Sequence, residues 1–297
     1  MSRVIIVVIV LVVLAAALSH VPSGPNFAFA SWPGNGVTEK SQGSYRFAPQ
    51  GTLQISDASG DVTVTGSDSN VSTIDITITK HADNKSLLDQ LVPQIGAYNG
   101  GVAIESQYPN MCMNCDISYV ITVPRDAQVA VSDDSGDVKI TRTNGIITVK
   151  AASGGVTLED DSGPTSIDLD SGDASLTDVT GAVRVANSSG DIDASGLANS
   201  IDFVSSSGDI TADFARFDSV STVHMQAHSG SLELKLPAGF GAKISALTSS
   251  GSLDSDMLPV HSNDSGADTS ATIGDGHATV NLTTDSGDIT IKSHSSS

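Results

Sequence analysis

The chain has 297 residues, 39% hydrophobic but only 4% aromatic, and sets 34 acidic against 14 basic side chains for a formal net charge of -20. That hydrophobic share excludes wholesale disorder, and the shortage of bulky aromatics suits stacked aliphatic ladders better than one large globular core. Without clustered Lys and Arg, neither nucleic acid nor an anionic membrane surface is an expected partner.

Residues 1–30 read as an export signal. Arg3 supplies a small positive region, Val4 to Leu18 is an unbroken apolar run, and Ala28-Phe29-Ala30 offers a small-x-small cleavage site before Ser31. The alternative is an uncleaved N-terminal anchor, which would be the chain's one membrane contact. Either way the bulk of the chain is expected outside the cytoplasm, in the periplasm, on the cell surface or in the medium. Residues 31–50, with Pro33, Gly34, Gly36, Gly43 and Pro49, read as a linker to a folded body over 51–292.

Ser59-Gly60-Asp61, with Val62 and Val64 pointing inward, is a first repeat-like unit. The segment 66–125 is irregular. Residues 71–79 (VSTIDITIT) alternate as a longer strand, 85–91 suit a short helix, and 101–106 and 116–123 are further strands, ended by Pro124. This segment is expected to cap or widen one end of a repeat stack, whose strand edges need cover. Cys112-Met113-Asn114-Cys115 holds both cysteines, and in an oxidising compartment the plain reading is a local disulfide. The context of a thioredoxin-like redox motif is missing, haem attachment would need His where Asp116 stands, and zinc would need two further ligands.

From Asp133 onward a fixed period takes over. Gly136, Gly145, Gly154, Gly163, Gly172, Gly181, Gly190, Asn199 and Gly208 stand nine residues apart. The position four later is apolar every time, from Ile140 and Val149 to Phe203 and Ala212, and the residue before it is polar, from Lys139 and Thr148 to Asp202 and Thr211. Each nonapeptide is therefore one short strand closed by a turn. Every second unit carries the fuller Ser-Gly signature, so the coil is 18 residues with two strands. The pattern predicts an all-β, right-handed β-solenoid of about 18 to 22 residues per coil. Ser229-Gly230, Ser250-Gly251 and Ser286-Gly287 follow after 22, 21 and 36 residues as looser coils of the same succession, and 293–297 read as a frayed tail. Glycine at the turn is explained by a positive φ, with Asn199 its usual substitute. A hexapeptide β-helix is excluded, because steps of six from Val138 give Asn144, Lys150, Val156 and Ser162. A single Gly column also excludes obligatory calcium ligation in each turn.

Alternate turns place Asp137, Asp173, Asp191 and Asp209 on one edge, interrupted by Gly155. Carboxylates one strand spacing apart repel by roughly 1 kcal/mol in water, so this edge is the weak candidate for Ca²⁺. The plain reading is that these aspartates bond turn amides. His224, Gln226 and His228 share a strand face, but about 13 Å separates the two imidazoles, too far for one ion. Asp133-Asp134 and Asp160-Asp161 are the acid pairs to test for glycoside hydrolysis, yet neighbours on a strand point to opposite faces. The sequence has no G-x-S-x-G elbow, no H-E-x-x-H and no phosphate-cradling loop. It therefore nominates no catalytic residue and no resident cofactor.

The repeated Ser-Gly-Asp-Val/Ile units, the irregular N-terminal segment and the step from Val123-Pro124 into Asp134-Ser135-Gly136-Asp137-Val138 resemble the putative adhesin family, a bacterial envelope domain of unknown function. The resemblance spans about residues 50–292, implies an exported or membrane-tethered β-solenoid, and supplies no catalytic residues. The expected function is a non-enzymatic interaction or structural module of the cell envelope, with a polysaccharide or envelope protein as partner. One alternative is a polysaccharide-active enzyme of β-helical fold, which the low aromatic content counts against. The other is a calcium-stabilised surface structure.

Overall fold

Strands with apolar residues at every second position bury one face only, and here two rows of them close on each other. The structure, a computed structural model, describes residues 28–30, 36–68, 72–110, 112–217, 221–263 and 266–293. It consists of two sheets of 13 strands each, which at ~4.8 Å per strand are about 60 Å across. Ten strands of each sheet are parallel and belong to ten two-strand coils. The 18-residue step is visible in the pairing. Val138, Val156, Ala174, Ile192 and Ile210 are successive neighbours in the first sheet, and Ile147, Thr165, Val183 and Ile201 in the second. The inward rows form one continuous aliphatic core with few aromatics, Tyr119, Phe203 and Phe214 among them. Each fully buried Val, Leu or Ile contributes about 1.5–3 kcal/mol over its exposed state.

The coils do not stack in the order of the chain. The first coil, Thr52–Asp57 and Val62–Ser67, lies between the coil of Gly101–Gln107 and Asp116–Pro124 and the coil of Gln128–Ser135 and Val138–Thr141. The other end mirrors this. The last coil, Ala278–Ser286 and Ile289–Ser293, is inserted between Thr222–Ser229 with Leu232–Leu236 and Ala242–Thr248 with Leu253–Ser255. Thus Ser250-Gly251 and Ser286-Gly287 are not looser turns of one succession, because the later coil lies between the earlier one and the coil of 222–236. Antiparallel strands close three of the four sheet ends among the described residues; the far end of the first sheet is the parallel strand Leu253–Ser255. Thr73–Ala82, then Val37–Arg46, then Ala28–Ala30 extend the first sheet, and Val92–Tyr98 covers the second through an Asn99-Gly100 turn with both residues at positive φ. Gly266–Ile273 and His261–Asn263 cover the far end of the second sheet. The irregular segment thus supplies both a cap and a full coil, and its helix spans Lys85–Leu88, capped by Asn84.

Residues 31–50 are not simply a linker. Val37–Arg46 pairs along its whole length with Thr73–Ala82, and Phe47 is buried. Its sequence, VTEKSQGSYR, lacks aliphatic alternation because neither face is deeply covered, while the Pro and Gly that suggest a linker mostly flank it. The proposed export signal lies outside the described residues except for its last three, which form the short strand paired with 38–40. Of the proposed tail, Ser293 ends a strand and 294–297 lie outside the described residues.

The glycine column has two physical causes rather than one. Gly154, Gly172, Gly190 and Gly208 have φ of 114°, 128°, 121° and 133°, as expected of the Ser-Gly turns. The intervening glycines, Gly145, Gly163 and Gly181, are not left-handed, and neither is Asn199. At those turns the left-handed residues come three positions earlier, at Arg142 (58°), Asp160 (57°), Asp178 (54°) and Gly196 (70°). Gly145, Gly163 and Gly181 are required instead by proximity: a β-carbon on any of them would collide with the carbonyl of Ala127, Gly145 or Gly163, respectively, in the adjoining coil. Gly163→Ala is therefore expected to cost about 1–3 kcal/mol in denaturant melts although its φ suits alanine. Gly96→Ala, where a β-carbon meets nothing within 4 Å, should change stability by no more than about 0.5 kcal/mol. Equal stability of the two variants would show that stacking at the turn is not what selects glycine.

Candidate functional site

The four aspartates singled out from the repeat stand in one column, and the structure shows what their carboxylates do. Each reaches along the stack to a backbone N–H of the next coil. Asp137 Oδ1 accepts from Gly155 N at 2.8 Å, Asp173 from Asp191 N at 2.9 Å, Asp191 from Asp209 N at 2.8 Å and Asp209 from Ser231 N at 2.7 Å. Asp61 and Asp288 belong to the same column, accepting from Asp137 N at 3.1 Å and Ser252 N at 2.7 Å. Their membership follows the spatial order of the coils, which is why sequence spacing alone leaves them outside the run. The two donors of Ser252, its backbone N–H and its side-chain O–H, together hold the Asp288 carboxyl below the usual range. Among the described residues no group of three His, Cys, Asp or Glu side chains could hold a metal ion. The column is thus a hydrogen-bond ladder along one edge.

The outer face of the second sheet carries a groove of about 390 Å³. Two in-register rows make it. One runs Ala103, Gln54, Ala130, Thr148, and the other Glu105, Ser56, Ser132, Lys150. Ala103, Ala130, Ser56 and Ser132 leave room between the longer Gln54, Glu105 and Lys150. The second row is a track of two hydroxyls with a carboxylate at one end and an ammonium at the other, about 14 Å apart at three strand spacings. Sequence spacing does not show this site, because strands 52–57, 101–107 and 128–135 become neighbours only through the insertion of the first coil. Further along the same face Asp202 accepts from the Arg184 guanidinium and bonds His224 Nδ1 at 2.7 Å, above a shallow depression bordered by Pro164 and Ala182.

His224 and His228 are not brought together: the second bonds Asp285 at 2.6 Å in another row. Both acid pairs are split, Asp133-Asp134 by strand alternation and Asp160-Asp161 by the turn in which Asp160 is left-handed. Asp133 and Asp161 are buried while Asp134 and Asp160 face outward, so neither pair presents two carboxylates to one sugar ring. Asp161 Oδ1 accepts from the Thr143 N–H at 2.6 Å and its hydroxyl at 2.8 Å, yet burial still pushes the carboxyl up to about 6. Cys112 and Cys115 are disulfide-bonded, with Cys115 buried and Met113 fully presented at the tip of the loop. Among the described residues no helix is long and apolar enough to cross a membrane.

A family model described as Toastrack DUF4097 matches residues 50–292. No curated protein matches the chain. Among solved structures it is similar to a putative adhesin from Bacteroides fragilis, at 14% identity over 86% of this chain and 96% of that one, with a TM-score of 0.40. A putative cell adhesion protein from Clostridium sporogenes matches at 13% identity over 86% and 99% of the two chains, TM-score 0.25. A putative lipid binding protein from Parabacteroides distasonis matches at 10% identity over 86% and 97%, TM-score 0.30.

The ladder separates the two readings of the aspartate edge. Asp191→Asn keeps an oxygen acceptor for Asp209 N–H and removes one charge from a like-charged row, so the melting temperature should hold or rise. Asp191→Ala leaves that amide without its acceptor and should cost of the order of 1 kcal/mol. Neither wild type nor variant should respond to calcium or chelator. A calcium-dependent rise in melting temperature that Asp191→Asn abolishes would instead make the edge an ion site.

Proposed function

The chain belongs to the Toastrack DUF4097 family, and we propose that it is an exported, non-enzymatic module of the cell envelope that binds a partner along the outer face of its second sheet. The observation that carries the reading is the groove of Gln54, Ser56, Glu105, Ser132, Thr148 and Lys150. Small hydroxyl and amide groups repeat there at the strand spacing of ~4.8 Å on a backbone that cannot rearrange, because both of its edges are paired. Such a track suits a polar partner with its own repeat, and a polysaccharide of the envelope fits better than an apolar ligand. An envelope protein is the second partner of matching polarity.

Export is supported by Arg3, the apolar run Val4 to Leu18 and Ala28-Phe29-Ala30. The Cys112–Cys115 bond points to an oxidising compartment. A non-enzymatic role is supported by the separation of the acid pairs and by a groove with one carboxylate, where glycoside hydrolysis needs two.

Two measurements test the proposal. Fractionation of cells should find the intact chain in the envelope or medium and a chain lacking residues 1–30 in the cytosol; an intact chain retained in the cytosol would end the export reading. On immobilised glycans of the producing cell's envelope, Ser132→Phe and Lys150→Glu should each weaken binding about tenfold or more without altering the melting temperature, since exposed substitutions of this kind change stability by about 0.5 kcal/mol or less. Unchanged binding in both variants would place the contact elsewhere, and release of shortened glycan would make the protein an enzyme.

A further inference from the structure

Where each strand of the second sheet enters the Ser-Gly turn, its last inward position forms a column of its own. In spatial order it runs Asp57, Asp133, Ala151, Leu169, Asn187, Ser205, Ala227, Thr284 and Thr248. The turn glycine comes three residues later in each coil. Three polar members of the column use it in the same way. Asn187 Nδ2 donates to the Gly172 carbonyl of the adjoining coil at 3.0 Å and to Gly190 O at 2.9 Å. Thr284 Oγ1 donates to Gly230 O at 2.9 Å, and Thr248 Oγ1 to Gly287 O at 2.8 Å. This corner therefore presents carbonyl oxygens and calls for a donor.

Asp133 occupies the corner with a carboxyl group. Its Oδ1 accepts from Ser135 N at 3.3 Å, as Asn187 Oδ1 accepts from Ser189 N at 3.1 Å. Its Oδ2 then stands where Asn187 carries its amide nitrogen. A β-carbon placed on Gly136 would touch both Asp133 Oδ2 and the Gly60 carbonyl, so the two oxygens share one small space. Asp133 is 2% exposed, and its Oδ2 has no hydrogen-bond partner. An ionised oxygen facing a carbonyl in the interior is repelled and desolvated, whereas a carboxylic acid O–H satisfies both groups.

We propose that Asp133 folds as a neutral carboxylic acid whose Oδ2–H donates to the Gly60 carbonyl, a protonation-dependent clasp that fastens the inserted first coil to the coil of residues 128–141. The groups around it agree. Asp57, 5% exposed and its in-register neighbour, accepts from the Tyr108 hydroxyl at 2.7 Å; the Tyr119 hydroxyl bonds Ser106 at 2.6 Å on the far side of Asp57; and Asp61 and Asp134 add negative charge from the turn and the outer face. Burial, reinforced by Asp57, pushes the Asp133 carboxyl from 3.8 up to about 7, and burial raises Asp57 to about 6. Because the folded form holds the proton more tightly than the unfolded chain, this stabilisation is complete below about pH 4 and is lost as pH rises through about 7.

Thermal melts of the full oxidised chain at about pH 4.5 and about pH 8, in roughly 0.5 M NaCl to screen the acidic surface, test the clasp. Wild type should melt several degrees lower at the higher pH. Asp133→Asn supplies the donor without a proton, so at about pH 8 it should raise the folded-to-unfolded ratio at least about tenfold and make the pH difference clearly smaller, the remainder belonging to the raised carboxyls of Asp57 and Asp161. Asp133→Thr, which copies the hydroxyl donors Thr284 and Thr248, should do the same and stands in if the asparagine variant folds poorly. Asp133→Ala, like Ala151 in the column, should reduce the pH response to the same degree with a smaller gain in stability. Infrared difference spectra of wild type minus Asp133→Asn should show the carbonyl stretch of a protonated acid at about pH 5. An asparagine variant no more stable than wild type at about pH 8, or an unaltered pH slope, overturns the proposal. So does a calcium-dependent stabilisation of wild type that the asparagine variant lacks, which would put a cation where the proton is assigned.

Discussion

The separation of successive coils at their glycine turns is the constraint on which the rest of the molecule depends. At the Ser-Gly turns a β-carbon on Gly136, Gly154, Gly172, Gly190, Gly208, Gly230, Gly287 or Gly251 would strike the carbonyl of the neighbouring coil. Bare backbone lets the turns close to one strand spacing, and the strands on either side inherit that spacing in register. Everything else at the edge is fitted to it. The outward aspartates can span the gap to the next amide only because the gap is constant, and the inward Asn187, Thr248 and Thr284 meet the glycyl carbonyls for the same reason. Asp57, Asp133 and Ser205 each leave a side-chain oxygen of this inward column without a partner, and at Asp133 that oxygen shares its space with a glycyl carbonyl.

Placing the first and last coils inside the stack changes how a solenoid of this kind holds together. In a sequential stack the terminal coils are held on one side and fray first. Here the first and last coils are each covered by a coil on both faces, and antiparallel strands close both ends of the second sheet and one end of the first, whose other end is the parallel strand Leu253–Ser255. The contacts that join 62–65 to 138–141 and 232–236 to 289–293 close long loops, so they form late and cooperatively. The result is a rigid slab whose outer faces are fixed surfaces. A fixed face suits the proposed binding along the second sheet, since a preorganised surface loses little freedom on meeting a partner.

The coil length, the inward and outward residues, the disulfide loop and the capping role of the irregular segment were legible in the sequence because each rests on local chemistry: period-two alternation, glycine at turns, two nearby cysteines. The spatial order of the coils was not. Every coil presents nearly the same apolar rows, so the pattern at 232–236 suits the strand at 253–255 as well as that at 289–293, and only the intact chain selects the neighbour. The groove depends on that order and was hidden with it. Val37–Arg46 was obscured by the prolines and glycines around it, and the left-handed residues 142, 160 and 178 by side chains that rarely adopt that conformation. Asp133 could have been found. Steps of 18 from it reach Ala151 and Leu169, which marks an inward position that weighing Asp133-Asp134 only as a pair of hydrolytic acids passes over.

The interleaved order is the claim that joins the glycine stacking, the aspartate ladder, the groove and the acid clasp, and it can be read from covalent cross-links. Glu233 and Thr290 are outward register partners, as are Thr290 and Asp254. A succession in chain order would set Glu233 beside Asp254 instead. Cysteines introduced in pairs at these positions and oxidised in the folded protein report which strands touch, because a disulfide needs Cα atoms no more than about 7 Å apart. The structure predicts efficient bonding for the 233 with 290 and the 290 with 254 pairs and none for 233 with 254. Rapid bonding of 233 with 254, and its absence from the other two, would contradict the account.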